Sequence, residues 1–456
     1  MLFSSLLFIF QFMPIFFLIY YIIPVRFRNV FLFGASLFFY AWGEPYFLLL
    51  ILLSILVNYV AGLLLEKNSN IKQRKFILVL SLIYNLGMLG FFKYSNFFVE
   101  NLNYILKNTL SWKEVLLPLG ISFYTFQIMS YTIDVYRRKV EAESSFVNLG
   151  TYLCMFPQLI AGPIVVYTQV SKELKERTYS LGQIEEGLKV FVLGLGAKVL
   201  LANNIGNLWN DLDKLGYYKI SMPLAWLGAV SFALQIYFDF HGYSLMAIGL
   251  GKMMGFEFPN NFNYPYISKS MTEFWRRWHI TLGSWFREYL YIPLGGNQKG
   301  KGRLILNLFL VWSATGFWHG ASWNFLLWGI FFFVLLTIEK LWIKEWLNEH
   351  RIISRIYFLV GILVSWIIFA VTDLKEIATY IGKMFSFTIQ SDWIYYIRNY
   401  GLSLIIGVLF ATPVVRTWYQ KNKNLPVDIV IMTGIFLLSV AYLVDAAYNP
   451  FLYFRF

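Results

Sequence analysis

Apolar residues run along most of the chain in long blocks, many of them near the roughly 20 residues an α-helix needs to cross a bilayer. Such blocks lie near 2–24, 30–43, 45–65, 76–92, 115–133, 187–202, 222–240, 304–320, 322–341, 356–372, 401–415 and 427–445. Two more, 146–167 and 241–256, are interrupted by Gly, Pro or polar residues. The pattern predicts an all-α, polytopic integral membrane protein with about 11–13 transmembrane helices plus re-entrant or interfacial helices. No repeat, low-complexity segment or linker divides it, so a single membrane domain over residues 1–456 is expected. Residues 1–24 lack the basic start, shorter core and small-residue cleavage site of a secretory signal, and read as a retained first span.

Basic residues set an orientation. Arg26 and Arg28 follow the first block, Lys67, Lys72, Arg74 and Lys75 the third, and Arg137, Arg138 and Lys139 the fifth. Placing these loops in the cytoplasm puts the N-terminus outside. The loop 171–186 carries Lys172, Lys175 and Arg177 among four Glu. If it is also cytoplasmic, 146–167 enters and leaves on one side. Pro157, Gly162 and Pro163 break a helix there, and broken backbone at membrane depth is tolerated only within protein or beside a water-filled cavity. A re-entrant segment is expected, with an ordinary kinked span as the alternative.

Residues 257–303 differ from the rest. Phe274, Trp278, Leu282, Trp285, Tyr289 and Ile292 recur at helical spacing, with Arg276, His279, Gly283 and Arg287 on another face. One amphipathic helix is expected. It is either a membrane-surface anchor or a face that turns Arg276, His279 and Arg287 toward a cavity to bind an anionic donor.

The chain has four histidines. His350 stands in a charged loop. His319 stands between two strong apolar blocks, where an ionisable side chain is costly and faces an interior or a cavity. Imidazole exchanges protons near neutral pH, so His319 is a candidate general base; a structural hydrogen bond to a neighbouring helix is the other reading. His241 and Asp239 lie at the end of a block, and structural roles are expected for His241 and His279 from residue type alone.

Composition narrows the classes. Hydrophobic residues make up 58% of the chain and charged residues 14%, against about 25% charged in an average soluble domain. The net charge of +13 sits in short loops, the pattern of membrane orientation, and no nucleic-acid partner is expected. Cys154 is the one cysteine and excludes an internal disulfide. Neither a G-x-S-x-G elbow nor a P-loop is present, and no metal-binding His spacing occurs.

Several runs together resemble the membrane-bound O-acyltransferases, and within them the bacterial alginate O-acetylation type. They are Pro118-Leu119-Gly120-Ile121-Ser122-Phe123, Tyr131-Thr132-Ile133-Asp134-Val135-Tyr136-Arg137, Phe156-Pro157-Gln158, Ala161-Gly162-Pro163 and Tyr237-Phe238-Asp239-Phe240 with Gly242-Tyr243-Ser244. The strongest spans Phe274-Trp275-Arg276-Arg277-Trp278-His279-Ile280 through Trp285-Phe286-Arg287 to Tyr291-Ile292-Pro293-Leu294-Gly295-Gly296-Asn297. Trp318-His319-Gly320-Ala321-Ser322-Trp323-Asn324 and the final 449–456 complete it. The D-alanine transfer protein of teichoic acid is a more distant relative, and Pro293 to Asn297 favours the polysaccharide branch. His241 stands where that branch has Ser, and Leu245 where it has Asp.

The resemblance implies that His319 is the catalytic histidine and His279 a second histidine near the active site. It implies a central tunnel through the cell (inner) membrane and an acyl-thioester donor reached from the cytoplasm. That donor would be acetyl-CoA, a substrate rather than a bound cofactor. It also implies an extracytoplasmic SGNH-type acetyltransferase with polysaccharide assembly machinery as partners. Arg276, Arg287, Asn324 and Asp239 are the accompanying candidates for substrate binding, and no metal is expected. Direct base catalysis and an acyl-histidine relay both fit. A peptidoglycan, teichoic acid or lipid acceptor is an alternative, and a transporter or flippase is the rival of another class.

Overall fold

A computed structural model of the chain describes residues 1–107, 109–160, 162–422 and 424–445. Ala161 and the run 449–456 lie outside these residues. Among the described residues every element is helical, and no strand occurs. Among the described residues eight helices are long and apolar enough to cross a membrane: Pro45–Lys67, Ile71–Ile105, Leu181–Leu215, Met222–Met253, Trp323–Glu349, Arg351–Ala370, Asp392–Phe410 and Leu425–Asp445. The polytopic helical reading holds. The other four expected spans are also helical, as a shorter apolar stretch Phe8–Ile22, Arg28–Gly43, Ile121–Tyr136 and Gly300–His319. The interrupted stretch 241–256 is no separate element. It continues Met222–Met253, because Gly242 packs against Gly194, where a Cβ would sit 2.7 Å from the carbonyl oxygen.

The chain forms two compact units, residues 1–191 with 244–259, and residues 192–243 with 260–456. In the first, Arg74 gathers the basic loops. Its guanidinium donates to the carbonyls of Leu65, Asn68, Val135 and Tyr136, at the C-terminal ends of Leu48–Lys67 and Ile121–Tyr136. The loops carrying Lys67 to Lys75 and Arg137 to Lys139 therefore share one end of that unit.

The segment 146–167 does not cross as one helix. Phe146–Cys154 has nine residues, about 14 Å at 1.5 Å per residue against a hydrocarbon core of about 30 Å. The chain breaks at Met155, makes one turn over Phe156–Leu159, and becomes helical again at Tyr167–Lys175. Gly162 allows the return, since a Cβ there would lie 2.6 Å from the Pro157 carbonyl oxygen. The two ends of the segment meet. Tyr167 donates to Glu143 at 2.7 Å, and Asn29 donates to both Asn148 and the Leu174 carbonyl at 2.7 Å. Residues 149–160 are all buried, so the broken backbone is enclosed in protein, as a low-dielectric surrounding requires.

In the second unit, Gly300–His319 and Trp323–Ile338 form a close helical hairpin. A Cβ on Gly316 would collide with the Phe325 carbonyl oxygen, and one on Gly329 with that of Trp312. Small residues at such a crossing let two backbones approach, which is how helices gain packing energy without a hydrophobic driving force in lipid.

The single amphipathic helix expected over 274–292 is corrected. A short helix Met271–Phe274 gives way to a turn, His279 takes the left-handed conformation with φ 44° and ψ 53°, and Ile280–Phe286 begins a new helix. Residues 261–263 impose the break: the Asn261 carbonyl accepts from the Ile280 amide, and the Asn263 amide donates to the Arg277 carbonyl, both at 2.9 Å. The break resets the helical phase. His279 is 1% exposed, whereas Arg276 and Arg287 are exposed, so the three do not share a face.

Candidate functional site

His319 ends its helix within the hairpin. Gly320 is extended, and a Cβ there would collide with the Phe325 ring. The turn is thus closed over by Phe325, and the glycine serves packing here. The imidazole stands nearly perpendicular to Trp318, Trp328 and Phe369 at centroid distances of 5.1, 5.0 and 5.3 Å. It is 6% exposed, so aromatic walls fix its orientation without sealing it. Such walls exclude water and offer electron-rich faces to a protonated imidazole.

Asn324, five residues on and fully buried, braces the turn. Its amide nitrogen donates to the Ile368 and Phe369 carbonyls at 3.2 and 3.1 Å, and its oxygen accepts from the Ser322 hydroxyl at 2.6 Å. These bonds tie the start of Trp323–Ile338 to the end of Arg351–Ala370, and with it the Phe369 ring that touches His319. Asn324 acts on the histidine by position.

His279 bonds Asn261 through Nδ1 at 3.0 Å, and the same Asn261 oxygen accepts from the Thr281 hydroxyl at 3.0 Å. An amide oxygen only accepts, so Nδ1 carries the proton of the neutral ring and Nε2 is the basic nitrogen. Residue 279 lies outside the eight crossing helices, and burial pushes its pKa down to about 3. The ring packs on Phe240 at 4.7 Å and on Trp318 at 6.2 Å. The two histidines picked out by sequence therefore meet across one indole, that of Trp318.

The remaining candidates are placed elsewhere. Asp239 is 2% exposed and pairs with Lys198 Nζ at 2.5 Å; Lys198 also donates to Asn203 at 2.9 Å. Two charges inside apolar helices neutralise each other, as burial demands. Arg277, beside Arg276, pairs with Glu273 at 3.0 Å. Among the described residues no group of three or more His, Cys, Asp or Glu could hold a metal ion.

Three participants were missed in the sequence. Asn261 is 18 residues from His279 and carries no local signal. Lys198 hides in a helix whose other face is apolar. Glu339 was detectable as a charge within the apolar block 322–341. It is 2% exposed, and its carboxylate accepts from the Met271 and Thr272 amides at 2.5 and 2.9 Å and from the Thr272 hydroxyl at 2.6 Å. It caps the helix that leads into the His279 turn.

Comparison with known sequences identifies the family. The profile of the membrane-bound O-acyltransferase family aligns with residues 46–374. The chain belongs to the membrane-bound O-acyltransferase family. It is an acyltransferase and a multi-pass membrane protein. A probable alginate O-acetylase AlgI of Pseudomonas putida is 37% identical, with all of both chains covered. A second, from Azotobacter vinelandii, is 40% identical over 86% of this chain and 79% of its own length. A peptidoglycan O-acetyltransferase of Helicobacter pylori is 35% identical over 82% of this chain and 78% of its own.

Proposed function

We propose that this membrane-bound O-acyltransferase takes an acetyl group from acetyl-CoA on the cytoplasmic side of the cell (inner) membrane. It passes the group through a tunnel to the hydroxyl of an extracytoplasmic polysaccharide, with an SGNH-type secreted acetyltransferase and the polysaccharide assembly machinery as partners. The observation that carries this reading is the walled imidazole of His319 with His279 across Trp318. The full-length similarity to alginate O-acetylases supports the acceptor class.

The chemistry asked of the site is small. Attack on a thioester needs a hydroxyl stripped of its proton. His319 accepts that proton as the oxygen–carbon bond forms. As the carbon–sulfur bond breaks, the imidazolium returns the proton to the leaving thiolate. A positioned general base contributes on the order of 10²–10⁴-fold. The exposed Arg276 and Arg287 supply positive charge toward an anionic donor, and Asn324 and the Asp239–Lys198 pair hold the surrounding helices.

The test of the acceptor is the alkali-released acetate of each surface glycan, compared between cells with and without this protein. Loss confined to a secreted polysaccharide is expected. Loss confined to peptidoglycan would move the acceptor to that of the Helicobacter relative.

A further inference from the structure

We propose that Arg28 and Arg177 form a binding site for a phosphate ester at the basic end of the first unit. Arg28 is 5% exposed. Its Nη2 donates to the Tyr179 hydroxyl at 2.8 Å, and its guanidinium lies over the rings of Tyr179 and Tyr20 at 4.7 and 5.3 Å. Arg177, half-buried, donates from Nη2 to Asn29 at 2.6 Å and covers Phe256 and Tyr20 at 4.5 and 5.9 Å. One tyrosine ring is thus shared by two cations. Among the described residues neither arginine is in an ion pair. Nε of Arg28 and Nη1 of Arg177 are buried without an acceptor.

Two like charges held together without an anion repel, and buried donors without acceptors cost free energy. Burial, with a smaller contribution from Arg28, holds the Arg177 guanidinium below the usual arginine range. A ligand bearing two or more negative oxygens answers both defects, and planar guanidinium forks match phosphate geometry. The two arginines are held by a fixed backbone. Tyr20 and Tyr21 donate to the Met254 and Met253 carbonyls at 2.8 Å. Gly255, at φ 85°, lets the Thr178 carbonyl come within 2.9 Å of where a Cβ would stand. These bonds fix the strip that carries Arg177, which is itself half-buried.

Two sources offer such a group. One is the headgroup of an anionic phospholipid, since Arg28 follows the first apolar block and stands among tyrosines, the residue pattern of a membrane interface. The other is the phosphates of the thioester donor, and this source rests on the function proposed above.

The experiment is thermal unfolding of the full-length protein in neutral detergent, titrated with coenzyme A, with phosphatidylglycerol, or with uncharged diacylglycerol. One of the two phosphate probes should raise Tm by a few degrees and diacylglycerol should not. Arg177→Gln should weaken that probe about tenfold or more, while the ligand-free variant melts no lower than the wild type because a repulsion is gone. Arg28→Lys, which keeps the charge but loses the fork, should weaken it too and covers the case in which Arg28→Gln fails to fold. A response to coenzyme A identifies the donor as the source, and a response to phosphatidylglycerol the lipid. If neither probe shifts the wild type, or if both variants respond like it, the site is refuted. A coenzyme A response that survives both variants removes the site but leaves the donor reading standing. A lipid response in a protein without acyl transfer does the reverse.

Discussion

His279 shows what one side chain must satisfy here: a left-handed backbone, complete burial and a hydrogen bond to Asn261. Its folded pKa of about 3 lies below the ordinary 6.5. As pH falls, the unfolded chain therefore takes up the proton first. The residue leaves stability unchanged above about pH 6.5 and lowers it by ~1.4 kcal/mol per pH unit below that. His279→Asn tolerates the left-handed backbone and does not titrate. Melting measured from pH 7.5 down to 5 should be less acid-sensitive in this variant than in the wild type. An identical acid limb would show that the ring is not held neutral by burial. It follows that a neutral-range limb in the pH profile of the wild-type reaction belongs to a group other than His279. At this scale the sequence was readable where a residue type conflicts with its surroundings, as His319 does between apolar blocks. It was not readable where a partner arrives from afar. Asp239 gave no sign of Lys198, and the roles of Asn324 and Glu339 depend on which carbonyls and amides the fold brings to them.

The hairpin of Gly300–His319 and Trp323–Ile338 sets the height of His319, and its two glycines decide how close the helices come. Gly329→Ala drives a methyl group into the Trp312 carbonyl. Overpacking of this kind costs about 1–3 kcal/mol. The variant should melt earlier in detergent and lose acyl transfer in proportion to the shift of the histidine. Melting and activity equal to the wild type would mean that the crossing has slack. Helical periodicity identified apolar elements well but failed at 274–292, because six apolar residues at helical spacing are compatible with two short helices in different phases. The pairing of 261–263 with 277–280 chooses between them, and no local window contains both sides of that contact. In 146–167 the prolines and glycine were sufficient, since they remove donors and permit close return of the backbone whatever the rest of the chain does.

Across the whole molecule, Glu66, Arg74, Arg138 and Lys139 line one cavity of the first unit, and the excess of basic residues in these loops predicts that this end faces the cytoplasm. Ser69, exposed in the turn between two long helices, gives access to this expectation, and Cys154 is buried and does not interfere. Ser69→Cys in intact cells should resist an impermeant thiol reagent and react once the membrane is opened; ready labelling of intact cells would invert the topology. Apolar blocks identified the helices but not their lengths, since a block such as 30–43 forms a helix of 16 residues whereas 76–92 lies within one of 35. The central claim is that His319 carries the acyl transfer. Its most direct test is the acetate content of the surface polysaccharide in cells whose only copy is His319→Gln, at normal abundance in the membrane. Glutamine keeps a hydrogen-bonding side chain but cannot act as the base, so acetylation should fall by orders of magnitude, whereas near-normal acetylation would contradict the catalytic assignment.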